Sequence, residues 1–303
     1  MDITKVLSWH SSGNSFEQLQ ESTKHPVDVE VASTVDSLAS TENLEEEYVE
    51  PTLQRKCMAE FFATFILVGF GAGSVSQTVL SENELGNYTH ITMCWGIAVM
   101  LAINIAGSTS GAHLNPAFTI VFCIYNHQFP WRAVPWYCLS QTVGAFFGFA
   151  AVYCMYFRAF MVYDPQCTIE RGGRIFASFP QINETQFSAF VAEVLCSAFF
   201  MVGAFALGDP RNPHMIKPLV PVLTGALVVA VGMAFGLTTG YALNPAVDFA
   251  GRVFSSMAGW GSTMFTAYNN YWWVPVVAPV LGGWLGAGSY IIFIGNQPTR
   301  FKN

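Results

Sequence analysis

Two asparagines and two glutamates recur at matched places inside otherwise apolar surroundings, and they carry most of the polar chemistry of this sequence. Asn115-Pro116-Ala117 is repeated as Asn244-Pro245-Ala246. Each tripeptide closes a piece that begins with a hydroxyl residue and a glycine, Ser110-Gly111-Ala112-His113-Leu114 and Thr239-Gly240-Tyr241-Ala242-Leu243. Asparagine suits a helix N-cap, and proline suits the first helical position, where its missing N–H costs nothing. Each tripeptide therefore predicts an extended piece turning into a helix. Ahead of them stand Ala59-Glu60 and Ala192-Glu193. Such groups offer hydrogen bonds: asparagine amides and helix N-terminal N–H groups donate, and the carbonyls of a non-helical backbone accept. They supply no nucleophile with an adjacent base, and no metal-ligand cluster lies within the apolar segments, so neither an enzyme, a cofactor nor a metal is expected.

The elements that must hold these residues follow from composition. The chain has 303 residues, 52% hydrophobic and only 11% charged, with 26 Phe. Its mean hydropathy is +0.39. Residues 61–81, 133–157 and 218–247 carry no charge, and runs of that length predict transmembrane helices. Six spans are expected, at about 57–80, 90–109, 133–158, 186–208, 217–239 and 271–295. Two apolar pieces are left over, 115–125 and 244–254. At 1.5 Å per residue they are too short for a hydrocarbon core of about 30 Å and read as re-entrant. The predicted fold class is an all-α membrane protein with six transmembrane helices plus two re-entrant half-helices.

The spans form two repeats, about 55–160 and 185–297, in which Gly144 and Gly148 match Gly282 and Gly286. Those glycines read as close helix packing. Three spans are an odd number, so the second copy enters from the opposite face and the repeats are inverted, with any solute site at the midplane between them. The two half-helix N-termini then meet there. Their positive ends and the Asn115 and Asn244 amides face a solute, while the carbonyls of Gly111, Ala112, His113, Gly240 and Ala242 form acceptor ladders. Such a path replaces the hydration of small uncharged molecules and repels cations.

A net charge of -7 argues against a nucleic-acid partner. The seven cysteines are odd in number, and Cys57, Cys94, Cys123, Cys138, Cys154 and Cys196 fall in apolar spans as small buried hydrophobes, with Cys167 a free thiol in a loop. Residues 1–54 read as a disordered acidic tail and 298–303 as a short C-terminal tail. No basic segment followed by an apolar one precedes the first span, which is then the targeting signal. Arg55, Lys56, Arg132, Arg211, Lys217, Arg300 and Lys302 on one side, against Arg158, Arg171, Arg174 and Arg252 on the other, predict cytoplasmic termini. The candidate glycosylation sequons at Asn87 and Asn183 then lie outside.

The paired tripeptides in matched halves resemble the aquaporin (major intrinsic protein) family over about residues 55–297. Asp248, Arg252, Pro275-Val276 and the long connections 158–186 and 254–271 resemble its glycerol-conducting branch, the aquaglyceroporins. The resemblance implies a passive pore for glycerol, other small neutral solutes and water, in a multi-pass cell-membrane protein that forms homotetramers. It also implies a selectivity filter at Trp95, Tyr241 and Gly232, the last making room, with an arginine directly after the second tripeptide. Here that residue is Val247. Arg252 cannot replace it, since five residues of helix carry it about 7.5 Å further along. A wider, less polar filter is expected. A water-selective pore and a secondary transporter of a small neutral solute remain alternatives, the latter because transporters also use inverted repeats and broken helices.

Blander readings stand beside these. Trp95 and Tyr241 could be packing aromatics, and His113 a satisfied buried histidine. Glu60 and Glu193 invite a proton relay, but their equivalence in the two repeats favours carboxylates that brace the adjoining loops. Asp248 reads as a brace for its own loop, with cation binding as the other reading.

Overall fold

The computed structural model describes residues 49–126, 129–212 and 216–295. The acidic tail up to residue 48 and the C-terminal tail 298–303, with Arg300 and Lys302, lie outside them. The chain divides into two units, Met1–Glu50 and Pro51–Asn303, and the second holds the elements that follow.

The first half contains α1 (Leu53–Leu80), α2 (Tyr88–Ser110), the short α3 (Pro116–Tyr125) and α4 (Val134–Tyr163). The second contains α5 (Gln186–Gly208), α6 (Val220–Phe235), the short α7 (Pro245–Ser255), α8 (Thr263–Asn270) and α9 (Val274–Tyr290). Among the described residues six helical stretches are long and apolar enough to cross a membrane, and α3 and α7 are the half-helices. The fold class is the one expected.

Boundaries differ where local chemistry intervenes. The first helix starts earlier than the apolar run because Thr52 caps it, its hydroxyl accepting from Arg55 N at 3.3 Å. The third span runs on to Tyr163, with Asp164 as its C-cap. The fifth ends at Phe235 rather than near residue 239; there Tyr88 Oη donates to Gly232 O at 2.9 Å, the carbonyl that the Gly236 N–H would take in a continuing helix. α8 is broken by non-helical backbone at Ala267, Tyr268 and Asn269, so the last crossing begins with the short 3-10 turn Tyr271–Trp273.

Of the seven cysteines, all free, only Cys123 and Cys196 are buried. The expected burial fails for Cys57, Cys94 and Cys138, which are part-buried, and for Cys154, which is exposed, because their helix faces turn outwards; Phe62, Phe70, Leu139, Phe147 and Phe199 are exposed on the outer surface. That surface suits lipid as solvent. At one end of the bundle, Asp209 after α5 receives Tyr290 Oη at 2.8 Å and pairs with Arg211 at 2.7 Å. The guanidinium holds the Asp209 carboxyl well below the usual carboxylate range.

Between α4 and α5 the chain does not loop into solvent but folds down onto the bundle. Asp164 Oδ2 accepts from Thr168 N (2.8 Å) and Gly172 N (3.0 Å). Phe176 then inserts among Phe160, Phe254 and Trp260, with ring centroids 5.0 to 5.6 Å away. The Phe176 carbonyl approaches α7 where only glycine fits, since a Cβ on Gly251 would come within 1.8 Å of it.

The helices of each half are packed backbone to backbone. A Cβ on Gly144 would lie 2.3 Å from Phe61 O, and one on Gly282 2.1 Å from Val194 O. Gly282→Ala must therefore push α5 and α9 apart, and overpacking of this kind costs about 1–3 kcal/mol. The expected outcome is a lower thermal unfolding midpoint in detergent; an unchanged midpoint would mean that the two helices are not in such close contact.

Candidate functional site

The two tripeptides meet at the centre. Asn115 Oδ1 caps α3 by accepting from Ala117 N at 2.8 Å, and Asn244 Oδ1 caps α7 by accepting from Ala246 N at 3.1 Å. With the oxygen so fixed, each amide nitrogen crosses to the other repeat: Asn115 Nδ2 donates to Leu243 O (2.9 Å) and Asn244 Nδ2 to Leu114 O (2.8 Å). Each asparagine thus spends one of its two N–H donors on the joint, leaving one for a solute. Leu114 and Leu243 carbonyls belong to the joint as well.

The backbone before each cap is left-handed at three matched positions: Gly111 and Gly240, Ala112 and Tyr241, Leu114 and Leu243. Four of these six are not glycine, and a left-handed non-glycine residue costs of order 1–3 kcal/mol unless its surroundings fix it. Two carboxylates do so. Glu60, 0% exposed, accepts from Ser110 Oγ (2.6 Å), His113 N (2.8 Å), Leu114 N (2.7 Å) and Gln141 Nε2 (2.8 Å). Glu193, likewise 0% exposed, accepts from Thr239 Oγ1 (2.6 Å), Ala242 N (2.9 Å) and Leu243 N (3.5 Å). Its fourth donor is missing because Pro279 stands where Gln141 stands in the first repeat. Both carboxylates take up N–H groups that would otherwise be orphaned at membrane depth.

Both loops line a cavity of about 540 Å³. The Ala242 carbonyl also accepts from Asn244 N in a tight turn. The cavity reaches from Tyr88 and the 174–181 segment at one end to Gly208 and Val220 at the other. Its lining thus draws on both ends of the bundle, and Asn115 and Asn244 belong to it.

Trp95, Tyr241 and Val247 line this cavity. Both aromatics are seated on glycines. A Cβ on Gly71 would lie 2.3 Å from the Trp95 ring, and one on Gly232 2.6 Å from Tyr241 Cζ. The room that Gly232 makes is occupied by the tyrosine ring rather than by a solute. His113 is ringed by Phe118, Phe122, Phe129 and Tyr137, with centroids 4.7 to 5.3 Å away, and its Nδ1 lies 3.3 Å from Thr119 Oγ1.

Two expectations need correction. Asp248 does not brace its own loop. It sits in the first turn of α7 facing the α4–α5 connection, where its Oδ2 accepts from Ser178 N (2.8 Å) and Ser178 Oγ (2.6 Å) and its Oδ1 from Arg252 Nε (2.6 Å). Arg252 is not a flanking charge that informs orientation: it is 0% exposed, donates to the Met264 and Ser178 carbonyls, and stacks on Phe179 at 4.4 Å. Seven basic residues against three then favour the same orientation. The sequence reading missed Gln141, Gly71 and Ser178. The hydroxyls of Ser110 and Thr239, matched at the head of both repeats, were a signal for the carboxylate contacts; nothing local marked the others.

These observations define a polytopic membrane protein with a cavity beside two half-helices held nose to nose. The Major intrinsic protein family model matches residues 47–290, and the chain belongs to that family, one of membrane channels and not of enzymes. It is 39% identical over 269 residues to Aquaporin-10 of Milnesium tardigradum, covering 83% of this chain and 66% of the relative. It is 37% identical over 250 residues to human Aquaporin-10, covering 81% and 83%. Among solved structures, the aquaglyceroporin from Plasmodium falciparum superposes with a TM-score of 0.72 at 28% identity, covering 79% of this chain and 96% of that one. The similarity falls to the aquaglyceroporin branch.

The carboxylate braces make a direct prediction. Glu60→Gln keeps the shape but turns an NH2 towards a donor, and a buried donor left without its acceptor costs about 1–3 kcal/mol. The variant is expected to show a lower thermal midpoint and slower solute flux per folded molecule, with Glu193→Gln milder because it has fewer donors to disappoint. Equal and negligible effects would mean that the loops hold their left-handed backbone unaided.

Proposed function

We propose that this protein is a passive channel for glycerol and other small neutral solutes, together with water. The observation that carries the reading is the cavity lined from both ends of the bundle, with an amide donor from each repeat and apolar walls elsewhere. A solute such as glycerol presents hydroxyls along one edge and carbon along the other, and this path has matching sides. The aquaglyceroporin relatives support the same substrate class.

The filter is atypical. Val247 stands where the family's arginine would stand, half-buried and packed against the core, so it adds no donor and no charge beside Trp95 and Tyr241. A wider, less polar filter eases bulkier neutral solutes. Val247→Arg is the test, with stopped-flow light scattering on proteoliposomes. The wild type is expected to admit glycerol and longer polyols, and the substitution to slow the longer ones several-fold more than water. Fast water with no glycerol entry would reject the substrate class, and an unchanged size cut-off would reject the wide filter.

Further parts of the reading rest on placement. Both termini of the bundle lie in the cytoplasm, which puts the α4–α5 connection outside. Asn87 and Asn183, both exposed on that face, are then open to glycosylation, although the Asn87 side chain also caps α2 by accepting from His90 N at 3.0 Å. The domains are an N-terminal tail to about residue 54, the channel at 55–297 and a tail at 298–303. The chain acts as a homotetramer in the cell membrane with one path per subunit, which gives some of the exposed apolar helix surface a partner besides lipid.

A further inference from the structure

We propose that Arg174, from the α4–α5 connection, supplies the positive charge that Val247 withholds, and so acts as the cation-excluding and solute-orienting group at that mouth. The inference rests on the channel reading above.

The charge inventory of the path leads to it. Among the described residues that line the cavity, Arg174 carries the one guanidinium or ammonium group and Asp248 the one carboxylate. Asp248 is already neutralised by Arg252 at 2.6 Å. Among the described residues no carboxylate comes within ion-pair distance of Arg174, whose partners are neutral: Nη1 donates to Phe179 O (3.2 Å), and Nη2 to Pro180 O (2.8 Å) and Tyr268 Oη (2.9 Å). The mouth therefore keeps an uncompensated positive charge. Three of the five guanidinium N–H groups are used in this way, and two remain to orient a solute hydroxyl.

The group is also held in place. Its segment is pinned on one side by buried Phe176 and on the other by Ser178, which donates twice to Asp248, the residue next to Val247. The guanidinium lies over the Phe179 ring at 5.9 Å and the Tyr268 ring at 5.6 Å. Tyr268 is presented by a run of three left-handed residues, Tyr268, Asn269 and Asn270, a conformation that costs free energy and fixes where the phenol points. A fixed charge beside a narrow path of low dielectric acts strongly on a passing ion, whereas a neutral polyol feels only its hydrogen bonds.

The test is sodium and potassium conductance in planar bilayers, with glycerol flux measured on the same preparations. Arg174→Gln keeps hydrogen bonding and removes the charge, and is expected to raise cation conductance by roughly tenfold or more. Adding Val247→Arg to that variant places a guanidinium at the filter and is expected to bring the conductance back down. The proposal is overturned if Arg174→Gln conducts cations no better than wild type. It is equally overturned if the rise survives Val247→Arg, because the leak then comes from a loosened connection rather than a missing charge. A wild type that fails to pass glycerol would instead sink the channel reading, independently of the cation result.

Discussion

A bilayer cannot hydrogen-bond a peptide group, and in this protein the constraint falls hardest on the two non-helical segments that reach the middle of the bundle. Glu60 and Glu193 answer it. Each is a fully buried carboxylate, costly in isolation, and each is surrounded by donors from the loop that precedes a half-helix. By collecting the N–H groups on one side they allow left-handed backbone at Ala112, Leu114, Tyr241 and Leu243.

The remaining parts follow from that arrangement. The half-helices can end at the midplane only because the loops before them are satisfied, and the reciprocal Asn–Leu bonds can close only because the half-helices end there. Those bonds join the repeats into one piece at the point where an alternating carrier would have to part. The glycines at Gly71 and Gly232 then let two aromatic rings stand against the path, and the Asp248–Ser178 contacts draw the α4–α5 connection across its mouth.

Much of this was legible in the sequence because it obeys periodicities and local rules. Uncharged runs mark the spans, Asn-Pro marks the half-helix starts, and the matched halves imply inversion. What was not legible depends on contacts between distant segments. The Asp248 partner Ser178 is 70 residues away in an unremarkable stretch. Arg252 looked like a loop charge because it lies just past a short apolar run, whereas its burial depends on Phe179 and Met264 arriving from elsewhere. The end of α6 at Phe235 coincides with the hydrogen bond from Tyr88 to Gly232 O, which no local pattern in α6 records.

Half-helices locked to each other fit a fixed path rather than a site exposed to each face in turn. The most direct measurement is the initial rate of glycerol entry into proteoliposomes over a wide range of glycerol concentration, with and without sodium or proton gradients. A fixed path predicts a rate that stays close to proportional to concentration and ignores both gradients. A rate that saturates, or that follows either gradient, would contradict the account.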